Sequence, residues 1–317
     1  MVLAGVLLAV LLPIPEPLFP PTDLLHVTIS VRELNGRELL RIGEIHDVQN
    51  HHLESLTYYE QALASFRRNK RHRDEAVALF KIGSVMERQG RREAAAARLE
   101  ESLRLFEKFP AHPMYPFALL TLGRVSAWLG AREQAGRLFE RARDRFLQAG
   151  DLQGLGTSKL QLGLLWISDG RTGEGVNLLQ ETLKDAQARR DDNQALAASL
   201  ALGDGWWVAG DLAAALPYYR EALTMARRQQ QPRFEAQLLH RLSALLEAMG
   251  QPERAIEFAE SAVTSYRLLR DPSGEAAAWT LLANLLSQVG EEQRADDARE
   301  RALLLYQHQQ IVVHAIP

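Results

Sequence analysis

The sequence predicts an all-α solenoid of stacked helical hairpins, and three observations predict it. Read forty residues at a time, one small-residue position holds Gly43, Gly83, Gly123, Gly163, Gly203, Ser243 and Ala283. Seven residues further on, a second position holds Asn50, Gly90, Gly130, Gly170, Gly210, Gly250 and Gly290. The residue before the first position is always a branched aliphatic, from Ile42 and Ile82 through Leu122, Leu162, Leu202 and Leu242 to Leu282. Self-similarity at one strict interval is the signature of a repeat array, which grows by adding tiles as one elongated unit.

Composition agrees and excludes other classes. The chain has 317 residues and is 46% apolar, enough for a continuous core. Its 37 Lys and Arg stand against 40 Asp and Glu, and a net charge of −3 supplies no field to hold nucleic acid or an acidic membrane. Without cysteine there is no disulfide framework and no thiolate chemistry.

In chain order, residues 2–12 form an apolar run that ends at Pro13, with Pro15, Pro17, Pro20 and Pro21 following. A spanning helix needs roughly 20 apolar residues, so the run is short for one and suits the apolar region of a secretory signal. No Lys or Arg precedes Arg32 and no Ala-x-Ala site follows. Three readings stand: an export signal or membrane-proximal anchor, a truncated piece of a larger protein, or a segment packed on the first repeat. The first leaves membrane proximity through residues 2–12 open and favours export or tethering over a cytoplasmic location. The prolines predict a stiff tether over residues 1–34. His26 to Val31 alternates and reads as one short strand with little to pair with.

From about Asn35 each tile follows one grammar. Twelve residues beyond the small position sit Ser55, Ala95, Ala135, Gly175, Ala215, Ala255 and Ala295. Nineteen beyond it sit Ala62, Ser102, Ala142, Thr182, Ala222, Ala262 and Ala302. Such intervals place small residues on single faces of two helices, and the second glycine supplies the positive φ that stops the first helix. Helices approach closely only where no bulky side chain stands between them, so Gly163→Leu is expected to force the stack open.

The order aliphatic, small, seven-residue gap, glycine, alanine, alanine resembles the tetratricopeptide repeat. Tile seven, Trp279-Thr-Leu-Leu282-Ala283-Asn-Leu-Leu286, and tile five, Leu202-Gly203-Asp-Gly-Trp206 with Gly210, Ala215, Tyr219 and Ala222, carry it best. The stretch Asp151 to Gly163 is similar to the entry of the forty-residue form. The resemblance covers residues 35–308 and implies a right-handed superhelical solenoid of seven antiparallel helix pairs. Departures lie at the ends, Asn50 for glycine and Arg299 where a large apolar residue is usual. The six residues beyond the usual 34 are expected to lengthen the second helix and the junction. Caps are expected at Gly150-Asp151, Asp191-Asp192 and Asp271-Pro272. After tile seven, Leu303 to Tyr306 continues a helix, and residues 309–317 form an apolar tail in place of a polar cap.

No catalytic, cofactor or metal pattern stands out, so no enzyme, no cofactor and no metal site is predicted. His46, His51 and His52 lack the spacing of a zinc hydrolase and read as a surface turn. Gly170-Arg-Thr-Gly173-Glu-Gly175 has no Gly-Lys-Ser/Thr and occupies the turn of tile four. Arg67-Arg68-Asn-Lys70-Arg71-His-Arg73 reads as a solvated junction answered by Asp74 and Glu75, and it lacks the aromatic stripe of a nucleic-acid site.

The resemblance turns the remaining residues into a functional expectation. It places Trp166, Trp206 and Trp279 in the core, and it points Trp128 and Trp207 at the inner face lined by first helices. The residues three before, one after and four after the small position line that face. They are Leu120, Arg124 and Ala127; Leu160, Leu164 and Ile167; Leu200, Asp204 and Trp207; His240, Ala244 and Glu247; and Thr280, Asn284 and Ser287. An apolar centre with polar borders implies a groove for a peptide or amphipathic helix, with Arg124, Asp204, His240 and Glu247 fixing register. The alternative on the same residues is that longer helices close the groove and bury them. The Lys and Asn pattern with which some members clamp a C-terminal carboxylate is missing from these positions. The expected function is therefore a protein-binding scaffold. The alternative is a sensor or regulatory module of a larger signalling protein that closes on a small ligand or peptide. Partner identity and oligomeric state are not encoded in these patterns.

Overall fold

The structure, a computed structural model, describes residues 34–314, with side chains through residue 307. The apolar run 2–12, the proline-rich stretch and the short strand at 26–31 fall outside the described residues. Among the described residues there are fourteen α-helices and no strand. First and second helices alternate. They are α1 (Gly36–Val48), α2 (His52–Arg68), α3 (His72–Arg88), α4 (Arg92–Phe106), α5 (Tyr115–Trp128), α6 (Arg132–Ala149) and α7 (Leu152–Ser168). The series continues with α8 (Thr172–Ala188), α9 (Asp192–Val208), α10 (Leu212–Arg228), α11 (Pro232–Ala248), α12 (Pro252–Leu268), α13 (Pro272–Gln288) and α14 (Glu292–His314). The chain divides into two compact units, Met1–Leu165 and Trp166–Pro317, with the division inside α7. No helix among the described residues is long and apolar enough to cross a membrane.

The small position works by size matching across each hairpin. A Cβ added to Gly43, Gly123 or Gly203 would lie 2.5 Å from the ring of Tyr59, Phe139 or Tyr219, and one on Gly83 would lie 2.7 Å from Leu99. Each of these partners stands sixteen residues further on, and all four are buried. Where the small residue is Ser243 or Ala283, the residue sixteen further on is Ala259 or Arg299, which presents no ring. The Ser243 hydroxyl instead donates to the Ala255 carbonyl at 2.8 Å across the same hairpin. Arg299 turns outward instead and pairs with Asp296 on the same helix.

The second position closes every hairpin in the left-handed region, from Asn50 at φ 60° to Gly210 at φ 83°. Asn is the non-glycine residue best suited there, because its short polar side chain tolerates that conformation. A second left-handed residue, unforeseen from the glycine pattern, turns most junctions between tiles: Lys70, Gly150, Arg190, Gln230 and Arg270 have φ between 53° and 70°. Only one of those five is glycine, so composition hides the turn. The expected caps are in place, with Asp151, Asp191 and Asp271 accepting from the amides of Gly154, Gln194 and Gly274 at 2.8–3.0 Å. At the front, Asn35 and Glu38 make a reciprocal capping box that starts α1.

The six extra residues are distributed differently from expectation. First helices α3, α9, α11 and α13 and second helices α2, α8, α10 and α12 are all 17 residues long, with three-residue turns on both sides. Both helices grew, which keeps the hairpin flush at both ends. Two junctions depart from this: α6 and α7 are joined by only Gly150 and Asp151, and α4 and α5 by residues 107–114, where Pro110 and Pro113 prevent a tight turn and His112 packs on Phe106. Helix α14 runs on to His314 through most of the stretch expected as a tail.

Candidate partner-binding face

Successive first helices are tied side by side by polar contacts that repeat at fixed sequence offsets. In the unit Met1–Leu165, Lys81 Nζ lies 2.9 Å from Glu44 Oε1. The Arg124 guanidinium grips Glu87 through two hydrogen bonds of 2.9 and 2.7 Å. In the unit Trp166–Pro317, Arg241 Nη1 donates to Asp204 Oδ1. All three pairs are 37 residues apart, and a second set, Asp47 with Arg88 and Glu247 with Gln288, is 41 apart. Opposite charges one tile apart, less three residues, are the sequence signal that would have found these partners.

Two of the pairs are buried, which changes what their members can do. Arg124 and Glu87 are both nearly excluded from solvent. Asp204 accepts a 2.6 Å bond from the Tyr219 hydroxyl as well as the Arg241 bond. Burial raises the Asp204 pKa, while Arg241 and Tyr219 oppose the rise. Burial also pushes His240 down to about 4, with the adjacent Arg241 charge acting in the same direction. Its Nδ1 has no hydrogen-bond partner. Buried, doubly bonded charges of this kind hold neighbouring helices in register and are costly to break.

The predicted lining residues therefore divide by burial. Leu120, Leu160, Ile167 and Leu200 are buried apolar residues and Arg124 and Asp204 are buried ion-pair members. Gly205 leaves room for Ile167, whose Cδ1 lies 2.6 Å from where a Cβ would stand. Trp128, Leu164, Trp207, His240 and Glu247 are half-buried, and Asn284 is exposed. In the first unit the Arg92 guanidinium sits 3.4 Å from the centroid of the Trp128 ring. In the second, the Trp207 ring leans on Tyr219 at 6.5 Å, so Trp207 rests on the same Asp204–Tyr219–Arg241 cluster. Glu247, accepting from Gln288 at 2.8 Å, and Asn284 continue the polar edge on α11 and α13.

The other tryptophans are not the fully buried core residues expected. Trp166, Trp206 and Trp279 are half-buried. Arg171 covers Trp166 at 4.5 Å, and Arg301 and Arg267 flank Trp279 at 4.8 and 5.7 Å, so arginine heads shield the rings that helix packing leaves open. The basic junction is largely answered internally, Arg67 by Glu75 and Glu101 and Arg71 by Asp74, while Arg73 lies over Phe109. His46 stacks on Tyr58 at 5.2 Å, and among the described residues no group of acidic or histidine side chains is arranged to hold a metal ion. Gly170 makes the turn of its tile, with Arg171 paired to Glu174 at 2.6 Å.

Comparison with known proteins follows the same lines. The tetratricopeptide repeat family profile matches residues 38–108. No curated protein sequence matches the chain significantly. Among solved structures, the apo form of RapI is similar with a TM-score of 0.66 at 10% identity, covering 87% of this chain and 99% of that one. The Rap conjugation gene regulator of plasmid pLS20, in complex with the Phr* peptide, has a TM-score of 0.56 at 16% identity over 89% of this chain and 97% of its own. A STAND protein with a tetratricopeptide repeat sensor, PH0952 from Pyrococcus horikoshii, has a TM-score of 0.61 at 16% identity over 90% of this chain and 44% of its own. At these identities the likeness is one of fold. Residues 38–108 thus match the tetratricopeptide repeat family, and helix pairs of the same kind continue in phase through α14, so the fourteen helices of the described residues fit seven helix-pair repeats of that fold.

Proposed function

We propose that this protein is a non-catalytic scaffold that binds a peptide or amphipathic helix on the face of its first helices. The observation that carries the reading is Trp207. It is a large aromatic on a first helix, half-exposed and next to the Tyr219 ring of a buried cluster, and the next two first helices carry the half-buried His240 and Glu247 and the exposed Asn284. A pre-positioned aromatic with polar surroundings is the composition of an affinity anchor. Arg124 and Asp204 then act one layer below the partner, setting the spacing of the helices that receive it. Leu164, at the tile position that Asp204 takes in tile five, is a half-buried apolar residue on a first helix of the other unit. Similarity to a Rap protein complexed with the Phr* peptide supports a peptide as occupant.

A second reading has its own support, the similarity to the repeat sensor of a STAND protein of which this chain spans 44%. In that reading the same face reports occupancy to a further domain.

The test compares affinity capture by the wild-type chain, Trp207→Glu and Leu164→Glu, each first shown to keep its helicity and melting temperature. The expected result is a partner held by wild type and lost or weakened at least tenfold by Trp207→Glu. Equal capture by all three folded proteins would overturn the assignment of this face.

A further inference from the structure

The polar contacts between neighbouring first helices follow one rule and depart from it once. Among the described residues, acidic side chains stand one or four residues after the small position in five places: Glu44, Asp47, Glu87, Asp204 and Glu247. Four of them are answered by a cation on the next first helix, Glu44 by Lys81, Asp47 by Arg88, Glu87 by Arg124 and Asp204 by Arg241. Each cation stands 37 or 41 residues further on. From Glu247 the same two offsets reach Asn284 and Gln288, which carry no charge. The Gln288 amide donates to Glu247 at 2.8 Å, and no Lys or Arg among the described residues pairs with this carboxylate.

The departure falls beside the aromatic of the same face. Trp207 occupies the position of Glu247 one first helix earlier, and its own two offsets reach Ala244 and Ala248. Where Asp47 and Glu87 meet arginines, Trp207 meets two methyl groups, which are too short to cover an indole. The ring stays half-exposed, Glu247 is half-buried, and Asn284 and Gln288 are exposed. A carboxylate in such a setting attracts a cation more strongly than one in open water, because part of its surroundings is protein. Neighbouring packed helices lie about 8–10 Å apart, so the ring and the carboxylate are offset by roughly that distance. An extended chain covers it in about three residues at 3.3 Å each.

On the reading that partners are received on first helices, we infer that the segment bound here carries an arginine close in sequence to a large apolar side chain. The apolar group lies on Trp207, and the guanidinium bonds to Glu247 and to the side-chain carbonyl of Asn284. Arginine suits this pair of acceptors better than lysine, since its planar fork of donors engages a carboxylate and a neighbouring amide oxygen together. It completes from outside the rung that Lys81, Arg88, Arg124 and Arg241 complete from within. An acidic segment is repelled by the same carboxylate.

The probe is a library of random peptides displayed on phage and selected on the full chain, from which one selected sequence is synthesised, labelled and titrated by fluorescence anisotropy. The selected peptides are expected to share an arginine near an aromatic or aliphatic residue. Affinity is expected to fall at least tenfold when that arginine is replaced by alanine, and equally in Glu247→Gln and in Asn284→Arg proteins that melt like wild type. Asn284→Arg acts by supplying the cation that the other tiles possess. The Glu247→Arg protein is expected to prefer the peptide whose arginine has become glutamate. Peptides that lose binding in Trp207→Glu but show no excess of arginine, or that bind Glu247→Gln undiminished, overturn the inference and leave the face standing. Peptides that bind Trp207→Glu as well as wild type, or a selection that enriches no sequence, overturn the face and the inference together.

Discussion

At each hairpin the decisive quantity is the space between one backbone and one ring. Adding a methyl group at Gly123 drives a Cβ to 2.5 Å from Phe139, which is buried on all sides. Overpacking of this kind costs about 1–3 kcal/mol. Gly123→Ala is expected to lower unfolding free energy by that amount in denaturant titrations, and Gly123→Ala with Phe139→Leu to cost less than the sum of the two changes. Asp204 and Arg241 give a second expectation. Arg241→Met leaves a buried carboxylate bonded only to Tyr219 and is expected to cost about 3–5 kcal/mol, most of which Asp204→Leu in the same chain restores.

His240 supplies a pH dependence whose sign follows from its neutral, buried state. Its folded value of about 4 lies below the ordinary 6.5, so as pH falls the unfolded chain takes up the proton first. Stability from this group is full above 6.5 and is lost toward pH 4, by about 3 kcal/mol at most at 1.36 kcal/mol per pH unit. Asp204 works in the opposite sense, since its raised pKa favours the folded chain as pH falls. Thermal melts from pH 7 to 4 are expected to show a shallower loss in His240→Gln than in wild type. An unchanged slope would mean that another group carries the acid sensitivity.

At the scale of elements, the same few contacts recur at the same offsets and set how one tile meets the next. Arg67 with Glu75, Arg227 with Glu235 and Arg267 with Glu275 are one contact made three times, each eight residues apart across a tight junction. These pairs are partly exposed, so they contribute little singly. The caps contribute more: Asp271→Ala removes the acceptor for the Gly274 amide and is expected to cost about 1 kcal/mol, read as a lower melting temperature. Helix number, hairpin turns and caps were legible in sequence because glycine, aspartate and proline carry backbone information wherever they stand. The junction turns at Lys70, Arg190, Gln230 and Arg270 were not, since their left-handed φ is imposed by the helices on either side. The ion-pair partners Glu87 and Arg241 are not legible within one tile for a related reason: each pairs with a residue one tile away.

For the whole molecule, the family and helix-pair architecture followed from periodicity, whereas burial did not. Position in a tile predicts which helix face a residue occupies, but not how much of that face the neighbouring helices cover. Leu120, Leu160 and Leu200 are buried, and the accessible part of the face narrows to half-buried residues such as Leu164 and Trp207 with a polar edge. In the proposed function, partners are received on first helices. Hydrogen–deuterium exchange of the chain with and without its captured partner tests this most directly. Added protection is expected in α9, α11 and α13 around Trp207, His240 and Asn284, with α10 and α12 unchanged. Protection confined to the second helices would contradict it.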